Sequence, residues 1–241
     1  MSIQRVSSYG SSSSSDWKYD VFISFRGEDT RKNFTGHLYT ALTREGINVF
    51  LDDKELEIGK PISSELLDAI KKSRISIVVL SRNYASSSWC LGELVKIVEC
   101  KNSLGQMVIP IIYDVDLSME REQKGNFEEA LTKHEETFRE DIEKVETWRN
   151  ALIEVINHPG WELKNRYEAD LIKDVVKQVK RKLSVSASRL TNLRKVMVGV
   201  SSCLEQLRIQ AAEMIPAPRF QRGQTLIAPL VFFFSLGGWY L

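Results

Sequence analysis

Tyr19-Asp-Val-Phe-Ile-Ser-Phe25 is a short run dominated by β-branched and aromatic residues, and it reads as a β-strand. The six residues after it, Arg26-Gly-Glu-Asp-Thr-Arg31, are polar and contain a glycine, so the chain turns there. Over Arg31–Glu45 the apolar residues change period: Phe34, Leu38, Ala41 and Leu42 recur at i, i+4, i+7 and i+8, which predicts a helix. Asp29 or Thr30 is placed to cap that helix and Gly46 to stop it. Strand, loop and helix in this order are the first unit of an α/β fold.

The same alternation continues outward. Ile47–Leu51 predicts a second strand. Pro61–Ser73 predicts a helix, with Pro61 in its first turn and Ile62, Leu66, Ala69 and Ile70 on one face. Ile75–Leu80 is apolar almost throughout, as a central strand covered on both sides must be. A helix over Trp89–Lys101, a strand over Met107–Tyr113, helices over Phe127–Phe138 and Val145–Ile156, a short edge strand within Gly160–Leu163 and a closing helix over Ala169–Leu183 complete the pattern. Its length suits a flavodoxin-like α/β fold, a five-stranded parallel sheet with helices on both faces. We expect a disordered Ser-rich segment at 1–16, one domain at 17–183, and a linker and tail without a packed domain at 184–241.

Composition narrows the function. The chain has 241 residues, 43% hydrophobic and 27% charged, with a formal net charge of +1, so nothing argues for nucleic acid as a partner. The basic cluster Lys177, Lys180, Arg181 and Lys182 reads as a solvated helix end. Three cysteines (Cys90, Cys100 and Cys203) without a Cys-x-x-Cys predict reduced thiols and an intracellular chain. His37, His134 and His158 lack metal-ligand spacing, and no metal is expected. Leu226–Leu241 is uncharged, but it is shorter than the ~20 residues of a spanning helix and is interrupted by Pro229, Gly237 and Gly238, so no membrane anchor is expected.

In an open parallel sheet, ligands bind beyond the carboxyl ends of the strands where strand order reverses, here between the first and third strands. After the first strand, Gly27 permits close approach, the coming helix N-terminus attracts anions, and Arg26 and Arg31 add charge-assisted donors. Glu28 and Asp29 oppose an anion and read as loop-fixing or capping groups. After the third strand, Trp89 and Glu93 share a helix face, offset from the Leu91, Leu94, Val95 and Val98 stripe. A tryptophan beside a carboxylate there forms a partly desolvated pocket. The alternatives are a core tryptophan and a surface glutamate paired with Lys96. Asp114 and Asp116 read as turn caps rather than Mg²⁺ ligands.

Tyr19–Arg31, Asp52-Asp53, Ser86-Ser-Ser-Trp-Cys-Leu-Gly-Glu-Leu94 and Val108-Ile-Pro-Ile-Ile-Tyr-Asp-Val-Asp116 resemble, in order and spacing, the successive motifs of plant TIR (Toll/interleukin-1 receptor) domains. The resemblance covers roughly residues 17–183. It implies the flavodoxin-like fold, hydrolysis of NAD⁺ as substrate with no permanently bound cofactor, and a role in plant immune signalling. It implies Glu93 as the catalytic carboxylate, Trp89 beside it, and nucleotide contacts from Arg26, Gly27, Glu28, Asp29, Thr30, Arg31 and Gly59. An ionised Glu93 would stabilise the oxocarbenium-like charge that develops as the nicotinamide leaves. The resemblance also implies partners: other TIR domains, through a helix near His37, in the cytoplasm or nucleus. Gly36 stands where many relatives carry serine, Glu55–Gly59 lacks an arginine before the glycine, and Asp116–Arg121 departs from a commoner Asp-Pro-Ser segment. A catalytically silent TIR adaptor therefore stays open as the alternative. A receiver or flavin carrier on the same fold is disfavoured, because the first loop lacks a receiver-like acidic cluster. No ATPase module or leucine-rich repeat follows residue 183, which we expect of a TIR-only or truncated form.

Overall fold

The computed structural model describes residues 17–52, 63–121 and 125–213. Five parallel strands form one sheet in the order β2-β1-β3-β4-β5, with β1 at Tyr19–Phe25, β2 at Val49–Leu51, β3 at Ser73–Ser81, β4 at Met107–Tyr113 and β5 at Trp161–Glu162. This is the expected flavodoxin-like arrangement, and strand order reverses between β1 and β3. Register pairs Phe22 with Ser76 and Ser24 with Val78.

Two-residue alternation divides the buried side chains between two faces. Val21, Ile23, Ile75, Ile77, Val79, Ile109 and Ile111 belong to one cluster, with Phe34, Leu38 and Leu42 of helix α2 (Phe34–Arg44) and Leu171, Val175 and Val179 of helix α8 (Glu168–Glu213). Phe22, Val78, Leu80, Val108 and Ile112 belong to the other. They join helices α3 (Ser64–Lys71), α4 (Ser88–Leu104), α6 (Asn126–Thr137) and α7 (Ile142–Ile156). Ser24 and Ser76 have the parity of this second face. They are hydroxyls in otherwise apolar strands, and each is fully buried.

The first helix differs from expectation. A single turn, α1 at Gly27–Thr30, precedes α2, whose cap is Asn33 rather than Asp29 or Thr30. The Asp29 carboxylate reaches across to Ser81 and Asn83, and the Thr30 hydroxyl bonds Thr35, so neither is available as a cap. Gly36 makes this compact corner feasible: a Cβ there would sit 2.7 Å from the Arg31 carbonyl oxygen. Gly46 ends the helix with φ +74°, a conformation glycine adopts without steric cost.

Elsewhere the helices follow the pattern, except that the helix expected over Pro61–Ser73 spans only Ser64–Lys71 and Ser73 opens β3. Ser63 caps α3 and Ser87 caps α4 through their hydroxyls, and Gly105 closes α4 in the left-handed region. Asp116 accepts from the Ser118 backbone N–H at 3.0 Å ahead of helix α5 (Leu117–Arg121), the capping role expected of it. The closing helix does not stop at Leu183. It continues to Glu213 because 184–198 contains neither proline nor glycine, and the Ser184 hydroxyl is satisfied by the Arg181 carbonyl at 2.9 Å.

The chain divides into two units, 1–188 and 189–241. In the second, the described helix exposes Val196, Val200, Leu204, Leu207 and Ile209. Among the described residues no helix is long and apolar enough to cross a membrane, and no group of three His, Cys, Asp or Glu residues is placed to hold a metal. The expectations for residues 1–16, for Asp53, Glu55–Gly59, Pro61 and Ile62, and for Leu226–Leu241 lie outside the described residues.

Candidate active site

The site grows from the carboxyl ends of β1 and β3. Ser24, one residue from the end of β1, points to the face covered by α4. There its Oγ lies 2.6 Å from Oε2 of Glu93 and 2.9 Å from the Tyr84 hydroxyl. Tyr84 opens a 3-10 turn at Tyr84–Ser86 directly after β3, and its hydroxyl donates to the Cys90 carbonyl at 3.1 Å. Trp89 and Glu93 stand one turn apart on α4, and the indole Nε1–H donates to Glu93 Oε1 at 2.8 Å. The shared helix face read from their spacing is thus a direct hydrogen bond. Lys96, the alternative partner of Glu93, instead pairs with Glu99 at 2.9 Å.

Glu93 is only 3% exposed, and that decides its charge. Burial pushes its carboxyl up to about 8. The hydrogen bond from Ser24 pulls it down, the nearby charge of Asp52 raises it, and the Trp89 hydrogen bond pulls it down again. The net upward direction favours the neutral carboxylic acid, whereas the sequence led us to expect an ionised side chain. The cost of burying a carboxylate without a cation beside it exceeds what two hydrogen bonds return. Burial also pushes the Tyr84 phenol and the Cys90 thiol up, which favours their neutral forms.

The loop after β1 forms the other side. Arg26 pairs with Asp29 at 2.6 Å and with Glu28. Asp29 is the staple between the two switch-point loops: it accepts from Ser81 Oγ at 2.6 Å and from the Asn83 backbone N–H at 3.2 Å. Burial raises the Asp29 carboxyl, but the hydrogen bonds from Ser81, Asn83 and Arg26 outweigh it and hold it below the usual range. Its loop-fixing role is the one its sequence position suggested. The Cys90 thiol closes the contact from α4 by donating to the Phe25 carbonyl at 3.6 Å.

The structure therefore brings Arg26, Asp29, Trp89 and Glu93 to one switch point, with Gly27 and Glu28 in the turn between. Glu28 is exposed and engaged with Arg26. Arg31 turns toward β2: its guanidinium lies 5.1 Å from the Phe25 ring centre and donates to the Asp52 carbonyl at 3.1 Å. Thr30 is fully buried on Thr35, so its side chain faces the core rather than a ligand.

Two residues escaped the sequence reading, Ser24 and Tyr84. A serine on the parity of Phe22, inside an otherwise apolar strand, was the available signal. A depression of about 410 Å³ on the same edge of the sheet lies farther along, between Arg82, Asp114 and Asp116 on one side and Lys164 and Asn165 on the other. Glu93 does not line it.

Comparison with known proteins identifies this arrangement. Residues 18–199 match the TIR domain family. TMV resistance protein N of Nicotiana glutinosa is 50% identical over 199 residues, covering 82% of this chain and 17% of that protein. Disease resistance protein RPV1 of Vitis rotundifolia is 48% identical over 190 residues, covering 78% of this chain and 13% of that protein. The chain thus spans a small fraction of the length of these relatives. A solved structure of the TIR domains of the activated Roq1 resistosome, directly recognizing the pathogen effector XopQ, is 51% identical with a TM-score of 0.63. It covers 67% of this chain and 99% of that one. Fold, motif order and these similarities together place the chain in the TIR domain family, with homology to the TIR portions of plant disease-resistance proteins.

Proposed function

We propose that the chain hydrolyses NAD⁺, releasing nicotinamide and ADP-ribose-type products, in plant disease-resistance signalling, and that TIR self-association activates it. The observation that carries this reading is Glu93, buried at the β1–β3 switch point and hydrogen-bonded by Trp89 and Ser24. Cleaving the nicotinamide–ribose bond builds positive charge on the ribose, and the cationic nicotinamide leaves without needing a strong general acid. A positive charge within a few ångströms favours the carboxylate. The substrate's own cation therefore lowers the proton affinity of Glu93 as it arrives, the proton passes to solvent, and the resulting anion stabilises the developing charge. A site that becomes anionic only when a cation enters avoids holding a buried charge in advance.

The homologous TIR domains of Roq1 are described within an activated resistosome, which supports assembly as the trigger. In this chain the exposed His37 on α2 is the proposed interface position. The compartment that fits is the cytoplasm or nucleus, with NAD⁺ as substrate and no resident cofactor.

The second reading is a catalytically silent TIR adaptor. The engagement of both Glu93 oxygens within the fold favours it. Nicotinamide release measured by HPLC, for the wild type and Glu93→Ala, with and without a crowding agent, decides between them. Turnover that is lost in Glu93→Ala supports the hydrolase. Equal rates remove Glu93 from the mechanism. No turnover even under crowding leaves the adaptor.

A further inference from the structure

The last turns of helix α8 carry an apolar pattern of their own. Counting from Leu190, apolar residues recur at alternating steps of three and four: Leu190, Leu193, Met197, Val200, Leu204, Leu207 and Ala211. These are the a and d positions of a heptad repeat. The g positions Val196, Cys203 and Gln210 widen the stripe and add no charge. The charged residues of 190–213, Arg194, Lys195, Glu205, Arg208 and Glu213, all fall at b, c, e or f instead. Where the side chains are described, the stripe is bare: Val196, Val200, Cys203, Leu204 and Leu207 are exposed, Leu204 by 62%. Among the described residues the second unit consists of this helix, and none of them covers the stripe.

We propose that this stripe pairs with the same stripe of a second copy of the chain, as a coiled coil. Spacing, charge and area choose that occupant. A seam with a mean step of 3.5 residues stays in line along another helix that winds with it, whereas a straight helix of 3.6 residues per turn drifts off such a seam. A face without charge at a, d or g gives an ionic partner nothing to bind and is complementary to itself. Burying one such Val or Leu side chain removes about 100 Å² from water, and the a and d residues of two copies together reach about 1,200 Å², the lower bound of a stable interface. Two TIR domains tethered in this way meet at an effective concentration on the order of millimolar. That consequence rests on the assembly reading above, while the pairing itself does not depend on NAD⁺ chemistry.

Sedimentation equilibrium of the full chain tests the pairing. The wild type is expected to sediment as a dimer. Leu204→Glu with Leu207→Glu, which places charge at an a and a d position, is expected to weaken the dimer by about a hundred-fold or more. Gln206→Glu with Ile209→Glu, at c and f of the same helix, is expected to leave it unchanged. A monomeric wild type, or a dimer indifferent to Leu204→Glu with Leu207→Glu, overturns the proposal. Should that variant not fold, the wild type alone remains decisive. Cys203 is exposed whereas Cys90 and Cys100 are buried, and Cys203 lies near the middle of the repeat, so dyes on its thiol come close in either strand orientation. Energy transfer between donor-labelled and acceptor-labelled copies is expected, and its absence overturns the pairing. Two other occupants have their own signatures, and each overturns it: a monomer that sediments with anionic phospholipid vesicles, and a monomer that becomes a dimer once 226–241 is removed. Pairing without any turnover of NAD⁺ would defeat the hydrolase reading alone, and turnover by a strictly monomeric wild type would defeat the pairing alone.

Discussion

Replacing Glu93 by glutamine is expected to make the fold more stable than the wild type at alkaline pH and to change little at acid pH. The wild-type carboxyl is raised from its ordinary value of 4.5 to about 8. Between those values the folded chain holds a proton that the unfolded chain has shed. Stability from that proton is fully present below the unfolded value and is lost as pH rises toward the folded value. The loss is about 1.4 kcal/mol for each pH unit. From about pH 5 to about pH 7.5 the wild type thus forfeits about 3 kcal/mol at this one group. Glutamine does not titrate. Its carbonyl accepts from the Trp89 indole and its amide donates to Ser24, reproducing the pattern of the protonated acid. Urea unfolding of both proteins across this range isolates the effect, because every other titrating group cancels in the difference. The difference should move toward glutamine by about 3 kcal/mol as pH rises. A difference that stays flat with pH would refute the argument, since it would mean that Glu93 ionises alike in the folded and unfolded chains.

Asp29→Ala should destabilise the fold by about 1–3 kcal/mol by releasing Ser81, Asn83 and Arg26 together, and the thermal midpoint checks it. Because the Asp29 carboxyl is held below its usual range, its stabilisation is present above the unfolded value and is lost as pH falls through the folded one, so the cost of Asp29→Ala should shrink under acid. Gly36→Ala places a Cβ 2.7 Å from the Arg31 carbonyl oxygen and should cost about 1–3 kcal/mol in chemical denaturation; an unchanged midpoint would show that the corner yields freely. Gly160→Ala should weaken the β4–β5 edge, because its Cβ would lie 2.3 Å from the Pro110 carbonyl oxygen, and faster amide exchange at Trp161 and Glu162 would report it.

Much of this molecule was readable before folding because its determinants are local. The apolar runs Ile75–Leu80 and Met107–Tyr113 are strands buried on both faces, and their periodicity says so without knowledge of their neighbours. The four-residue spacing of Trp89 and Glu93 determines that they meet, since a helix makes them adjacent. The linker expected from residue 184 is helical instead, because neither proline nor glycine interrupts 184–198. Asp29 and Thr30 look like helix caps in sequence, and only the fold shows that Ser81 and Thr35 claim them first.

The charge of Glu93 belongs wholly to the assembled structure. Its partner Ser24 lies 69 residues away, and Tyr84 lies 60 from Ser24. They meet only because β1 and β3 pair in a register that turns Ser24 beneath α4. Spacing along the chain names the side chains that can act. The energy of holding a proton depends on what surrounds them in three dimensions, because burial and hydrogen-bond direction are properties of the packed neighbourhood.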